Sequence, residues 1–489
     1  MKSTFNILLL LVINLCFAQT QVGVDINGES ANDQSGFTVA TSQLGTVVAI
    51  GAPRNDGNGT DSGHVRVYRN TSGTWTQFGV DINGDAADDR FGSAVAINST
   101  GNTMVVGAPL HTSTNNGRVK VFSNTNGSNY TLVGSAIDGW GNNAAAGSSV
   151  AISANGSIIA IGAPSFSTGA TNRGAVRVYQ NISGTWTQIG GTIQGSGVEL
   201  RLGSSVALSS DGTILAIGIT GNGTSGYPGR VQIYRNASGT WSQIGSDIIG
   251  VTNGDAFGQG LSLSADGFTV AIGAPFHSSL GFYRGQVKIY QNISSTWTQV
   301  GASINGEANN DQSGFSVSLS GNGLLLAIGA PANTNANGTS SGHTRIYKNN
   351  SGTWNQIGAD IDGETANDSS GFSVSISSDG NYVSLGAPYN DGNGIDTGQA
   401  RVYNLTTLLS RNDFNTALRF KLYPNPVNDK FTVSLENDLK QIEIYNLQGQ
   451  KVLSSKQKEV DVSQLNKGVY FVKVEDENGV RGTQKVIKE

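Results

Sequence analysis

Seven pairs of glycines, each pair fifteen residues apart, recur at one period along this chain. The leading members are Gly36, Gly92, Gly147, Gly203, Gly258, Gly314 and Gly371; the following members are Gly51, Gly107, Gly162, Gly218, Gly273, Gly329 and Gly386. Successive pairs lie 55 to 57 residues apart. Six of the following glycines open the tripeptide Gly-Ala-Pro, and the fourth reads Gly218-Ile219-Thr220. A fixed period of this length marks an array of like units. It constrains shape far more than chemistry.

Within one unit the pattern is that of strands. Phe37 to Ala40 alternates, Gln43-Leu44-Gly45 turns, and Thr46 to Gly51 is an almost wholly apolar run that suits a strand buried on both faces. Pro53 ends it, having no amide hydrogen for a ladder. A polar loop leads to His64-Val65-Arg66-Val67-Tyr68, which alternates with period two, and Thr74 to Ile82 reads as a fourth strand. No stretch has helical periodicity. Charged residues are only 13% and glycine numbers 67 of 489, as expected for many short strands joined by tight turns. Seven four-stranded units predict an all-β chain built on a seven-bladed β-propeller. The seventh unit stops at Arg401-Val402-Tyr403-Asn404 and lacks the Trp-Thr-Gln pattern found at Trp75, Trp186 and Trp297. Thr20 to Ile26 matches Thr76 to Ile82, so the N-terminal strand is expected to complete the last blade and close the ring.

Phe91-Gly92 followed by Gly107-Ala108-Pro109, and Phe257-Gly258 followed by Gly273-Ala274-Pro275, resemble the FG-GAP repeat of integrin α-subunit propellers. The resemblance covers residues 19–404 and implies a propeller used in adhesion or ligand binding. One departure is plain: the segment between FG and GAP is a short turn such as Ser209-Ser210-Asp211-Gly212, without the family's Asp-rich calcium loop.

The long second-to-third loops and the unit-to-unit loops share one face, the expected binding face. Acidic residues gather there, mostly in units six, seven, one and two. Residues 19–403 hold 24 acids and 16 bases, a net of −8, which argues against nucleic acid as a partner. Asp56, Asn58 and Asp61 recur as Asp391, Asn393 and Asp396 in Asn-Asp-Gly-Asn-Gly-x-Asp loops. Oxygens at that spacing could wrap calcium, or they could simply be turn formers. Asp33, Asp89, Asp311 and Asp368 recur just before a strand, as ligand contacts or hydrogen-bonded turns. Trp140 lies outside the register of the outer-strand tryptophans and is the candidate aromatic contact for a ligand.

No catalytic constellation emerges. Gly338-Thr339-Ser340-Ser341-Gly342 matches a nucleophile elbow in letters, but a loop between strands is the wrong context. His64, His111, His277 and His343 fall in four different units without metal spacing.

The two ends carry addresses. Residues 1–18 read as a signal peptide, with Lys2, the apolar Ile7 to Phe17, and Cys16-Phe17-Ala18 as cleavage site. Cys16 is the only cysteine, so the mature chain has neither disulfide nor thiolate chemistry. No later stretch is apolar enough for a transmembrane helix. Residues 405–419 read as a linker. Residues 420–489 carry 11 bases and 10 acids and read as a small immunoglobulin-like β-sandwich, with strands at Lys430 to Leu435, Gln441 to Tyr445, Gln450 to Ser454, Gly468 to Glu475 and Thr483 to Lys488. Tyr423-Pro424-Asn425-Pro426, Ile444 to Gly449, Leu465 to Phe471 and Lys485-Val486-Ile487-Lys488 resemble the type A sorting domain of the type IX secretion system. That resemblance implies passage across the outer membrane, removal of the domain by a sortase-like peptidase, and a final place on the cell surface or in the medium. The expected function is binding or adhesion to a carbohydrate or protein. A structural matrix component, or more remotely a polysaccharide hydrolase or lyase, is the alternative.

Overall fold

The computed structural model describes residues 19–221, 226–409, 420–435, 438–446, 450–477 and 481–489. The expected signal peptide and residues 410–419 lie outside them. The chain divides into two compact units, one ending at Leu408 and one running from Leu409 to Glu489. Strands dominate both, and among the described residues the one helical turn, Thr406–Leu409, falls where the chain passes from one to the other.

Each repeat folds as its sequence pattern requires. Val47–Ala52 is buried along its whole length, flanked by Thr38–Thr41 and His64–Thr71 in antiparallel register. The fourth strand differs from expectation. His64–Thr71 pairs separately with Thr74–Gln77 and with Ile82–Asn83. Gly79, at a φ of 92°, sits between the two pieces; a left-handed residue breaks the ladder there, and glycine adopts it freely. Seven such sheets result, each of five strands. In the last, Gln399–Asn404 pairs with Tyr382–Ala387 on one side and with Thr20–Gln21 and Ile26–Asn27 on the other. The first strands of the described chain thus finish the final sheet.

Two closed circuits join the sheets. In the first, one turn residue per repeat donates its backbone N–H to the next: Gln43 to Ser99, Ser99 to Ala154, Ala154 to Ser210, Ser210 to Ala265, Ala265 to Gly321, and Gly321 to Ser378, all at 2.8–3.0 Å. Asp379 N–H then donates to Gln43 at 3.1 Å and closes the loop. The second circuit explains the glycine signature. A Cβ on Gly51 would lie 2.1 Å from the carbonyl oxygen of Gly92, the leading glycine of the next repeat. The same approach recurs from Gly107 to Gly147, Gly162 to Gly203, Gly218 to Gly258, Gly273 to Gly314, Gly329 to Gly371 and Gly386 to Gly36, at 1.8–2.3 Å. Backbone meets backbone at each junction, so the following partner must be glycine, while the leading partner holds a φ of 84–103° that glycine adopts freely.

The core lies between neighbouring sheets. Val47, Val65, Met104 and Phe122 belong to one such cluster. Ile26, Val39, Ile50 and Val402 form another, which joins the last sheet to the first. The outer-strand tryptophans tie neighbours further: Trp75, Trp186, Trp241 and Trp297 donate their indole N–H to Val22, Val133, Ile189 and Ile244 of the preceding sheet at 2.8–3.1 Å. Leu405 and Leu408, expected in the linker, are buried, and Leu408 packs near Gly358.

The second unit consists of a three-stranded and a four-stranded sheet around Phe431, Val433, Ile442, Ile444, Val472 and Val474. The strands Phe420–Tyr423 and Glu459–Asp461 add to those expected from sequence. Asn425 explains part of its motif. Its side chain donates to Lys485 O and accepts from Ile487 N–H, pinning the loop to the terminal strand.

Candidate functional site: the loop face

The two sets of loops on the expected binding face are laced together by backbone bonds. Around the first repeat, Asp88, Arg90 and Phe91 donate to Thr60, Asp61 and Ser62. Residues expected to hold calcium close these loops themselves. Asp56 Oδ1 accepts the N–H of Asp61, and Asp391 Oδ1 that of Asp396. Asn58 and Asn393 point their amide nitrogens at the carbonyls of Gly84 and Gly28. Asp61 lies 3.6 Å from Arg90. Each loop thus presents two carboxylates, of which Asp56 and Asp391 are already engaged at Oδ1 by a backbone N–H and Asp61 by Arg90.

Asp33, Asp89, Asp311 and Asp368 are 1–3% exposed. Each holds the turn before it, accepting backbone N–H groups three or four residues back: Ser30 for Asp33, Asp85 and Ala86 for Asp89, Glu307 and Ala308 for Asp311, Glu364 and Thr365 for Asp368. Each also takes one bond from a residue 22 positions on: Asn55, His111, Asn333 and Asn390. Asp255 and His277 make the same pair at 2.6 Å. The third repeat places Ala144 and Phe166 at these positions, both buried in one apolar cluster. An apolar pair replaces a polar one, which marks the position as a structural clasp. In the fifth repeat His277 Nε2 also meets Ser279 Oγ at 2.6 Å. A Ser-His-Asp chain results, built on an aspartate that holds the same turn in repeats one, six and seven, where an asparagine takes the histidine's place.

Trp140 has a register after all. It lies seven residues before Gly147, as Glu29, Asp85, Glu307 and Glu364 lie before their own leading glycines. Those acids pair with basic residues of the third strand: Glu29 with Arg66, Asp85 with Lys120, Glu307 with Arg345, and Glu364 with Arg401. Trp140 instead stacks under Arg177, 4.4 Å from ring centroid to guanidinium carbon. A cation–π contact thus stands in for an ion pair.

Sequence reasoning did not anticipate the groups Glu29-His64-Asp81, Asp85-Asp89-His111 and Glu307-His343-Asp360, whose ligating atoms lie within 4.8 Å of one another. Arg66 pairs with Glu29, Arg118 and Lys120 with Asp85, and Arg345 with Glu307 and Asp360. Burial pushes the His64 imidazole down to about 4, with Arg66 adding to the effect, and burial lowers His343 in the same way. Both rings are therefore neutral at pH 7. At the opposite end of the sheets, a cavity of about 270 Å³ draws residues from all seven repeats, with Ile97, Ile152, Leu208, Leu263, Leu319 and Ile376 among its lining.

These features define an all-β, propeller-like repeat protein joined to a small two-sheet domain. The comparisons sharpen that class. Residues 83–122 match the FG-GAP repeat model, and residues 421–489 match the secretion system C-terminal sorting domain. The chain therefore carries a type IX export address and is secreted or held at the outer surface. No curated protein matches it. Among solved structures it is similar to a crystal structure described as a candidate 6-phosphogluconolactonase from Bacteroides uniformis ATCC 8492, at 13% identity and a TM-score of 0.49, over 69% of this chain and 88% of that one. Among the described residues, no helix is long and apolar enough to cross a membrane.

Proposed function

We propose that the first unit is a seven-bladed propeller, closed by its N-terminal strand, that serves as a non-catalytic binding or adhesion module for a carbohydrate or protein outside the cell. The second unit, immunoglobulin-like in this reading, engages the type IX machinery and is removed by a sortase-like peptidase. The observation that carries the proposal is the circuit of seven backbone hydrogen bonds, which returns to its starting residue. A rigid ring of this kind holds its long loops in fixed positions on one face, where ligand contacts concentrate. On that face Trp140, Asp56, Asp61, Asp391 and Asp396 are the candidate contacts. Asp33, Asp89, Asp311 and Asp368 act from beneath by holding the loops.

The test is a glycan and matrix-protein array probed with the full-length chain, once with calcium and once with chelator. Saturable binding weakened by Trp140→Ala or Asp391→Ala supports the module. Failure to bind in either condition overturns it in favour of a structural surface component, a reading consistent with the internal pairing of most loop-face acids.

A further inference from the structure

The repeats can be compared with one another position by position, because their hydrogen bonds fix the correspondence. Thr60, Thr114, Thr171, Thr339 and Ile395 each accept a backbone N–H from the following unit-to-unit loop, from Asp88, Asn143, Glu199, Asn367 and Asn32 respectively. In the fourth and fifth repeats the acceptors are Tyr227 and Phe282, bonded by Gly254 and Asn310. Aromatic rings therefore occupy this rim position in two adjacent repeats.

The loop between these two repeats changes in the same direction. Ile249 pairs with the start of the third strand, where the other repeats place Asn27, Asn83, Asp138, Gln194, Asn305 and Asp362. Val251 lies seven residues before Gly258, at the position of Glu29, Asp85, Glu307 and Glu364. Exposure is high throughout: Tyr227 40%, Ile249 57%, Val251 71%, Leu280 59%, Phe282 58% and Tyr283 39%. Phe282 and Tyr283 stack with centroids 3.9 Å apart. Tyr283 has a φ of 48°, in a place where Asp61, Asn115, Asn172, Ser340 and Asp396 take the same left-handed turn. The short polar residues tolerate that conformation, and a bulky aromatic does so only against its preference.

The charge pattern also inverts. Lys288 is the fifth repeat's counterpart of Arg66, and with Val251 in place of the acid it has no carboxylate partner among the described residues. Arg284 is held by the backbone carbonyls of Gly306 and Leu280 and likewise faces no carboxylate. Lys288 and Arg284 thus stand beside the apolar ridge without a carboxylate, whereas the third-strand bases of repeats one, two, six and seven are paired with acids.

We propose that the rim of the fourth and fifth repeats is a docking surface for an acidic polypeptide segment bearing aromatic or aliphatic side chains; the proposal rests on the binding-module reading above. Its apolar side chains cover the ridge from Tyr227 to Tyr283, and its carboxylates take the place of the acid missing opposite Lys288. Several aliphatic side chains beside the aromatic ones fit a polypeptide better than a sugar, whose rings call for flat platforms alone. Contiguous exposed apolar groups rimmed by charge are the usual mark of such interfaces.

The experiment uses the full-length chain on an array of synthetic peptides graded in carboxylate and apolar content, beside the glycan array. Two variants are used: the double substitution Phe282→Thr with Tyr283→Asn, which restores residue types found in the other repeats, and Lys288→Glu, which reverses the charge. The expected result is binding to acidic, apolar-rich peptides that falls about tenfold or more in either variant, as loss of an interface anchor does. The melting temperature of the double variant should hold or rise. Unchanged peptide binding in both variants refutes the sector while leaving the module reading intact. Binding to glycans alone refutes the partner chemistry and again leaves the module. Absence of binding on either array overturns both.

Discussion

Gly386→Ala is the sharpest test of the ring. The new Cβ would sit 1.8 Å from the carbonyl oxygen of Gly36, about 1.6 Å short of the 3.4 Å at which ordinary contact begins. The obstacle is backbone, so no side chain can swing aside, and the last and first sheets must part. Separation on that scale forfeits much of the dispersion contact across the junction. The expected loss is about 3 kcal/mol or more, the upper end of what overpacking costs in a core. Gly352→Ala is the matched control. It has a φ of +91° and nothing within 4 Å of the added carbon, so it costs only the left-handed penalty of about 1–2 kcal/mol. Urea unfolding followed by tryptophan fluorescence reads the first unit alone, because all six tryptophans lie in it. A Gly386→Ala midpoint no lower than that of Gly352→Ala would refute closure through the glycine circuit.

Three further outcomes follow from the same contacts. Deleting residues 19–28 removes every partner on one side of Gln399–Asn404, and light scattering should show aggregation through the bared edge; a soluble protein with an unchanged melting temperature would contradict the closure. Asp33→Ala strands the N–H of Ser30 and the amide of Asn55 and should cost about 3 kcal/mol in urea unfolding. Adding Asn55→Phe, after the Ala144 and Phe166 pair of the third repeat, should recover part of that loss. His64 should make the first unit acid-sensitive, since its folded pKa of about 4 lies below the unfolded value of 6.5. The unfolded chain then takes up the proton first, so stability is full above pH 6.5 and falls by about 3 kcal/mol as pH drops toward 4. His64→Gln should flatten that slope.

Much of the fold was legible in the sequence because its cause is local and repeated. The fifteen-residue spacing of the glycines, the apolar run ending in Pro53, and the match of Thr20–Ile26 to Thr76–Ile82 each follow from strand chemistry. The break at Gly79 was not legible, since an exposed outer strand carries little apolar pattern to show where its pairing lapses. The site was harder to read. Asp33 and Asn55 lie 22 residues apart, and nothing in either residue reveals that they meet in the interior. Trp140 was set apart by comparison with the outer-strand tryptophans, whereas its true counterparts are acids. Only the contact with Arg177 reveals that an aromatic ring and a carboxylate can do the same work.

The way the last sheet is completed has a mechanical meaning. The first unit ends at Leu408, and its last strand is Gln399–Asn404, with six register pairs to Tyr382–Ala387 and two each to Thr20–Gln21 and Ile26–Asn27. A pull on the tether therefore loads a strand gripped along both edges, with one of the two grips supplied by the opposite end of the chain. Such a strand must shear past both neighbours together and cannot peel away bond by bond. An exported protein hauled or anchored through its C-terminal side would carry the load at the best-gripped strand of its final sheet.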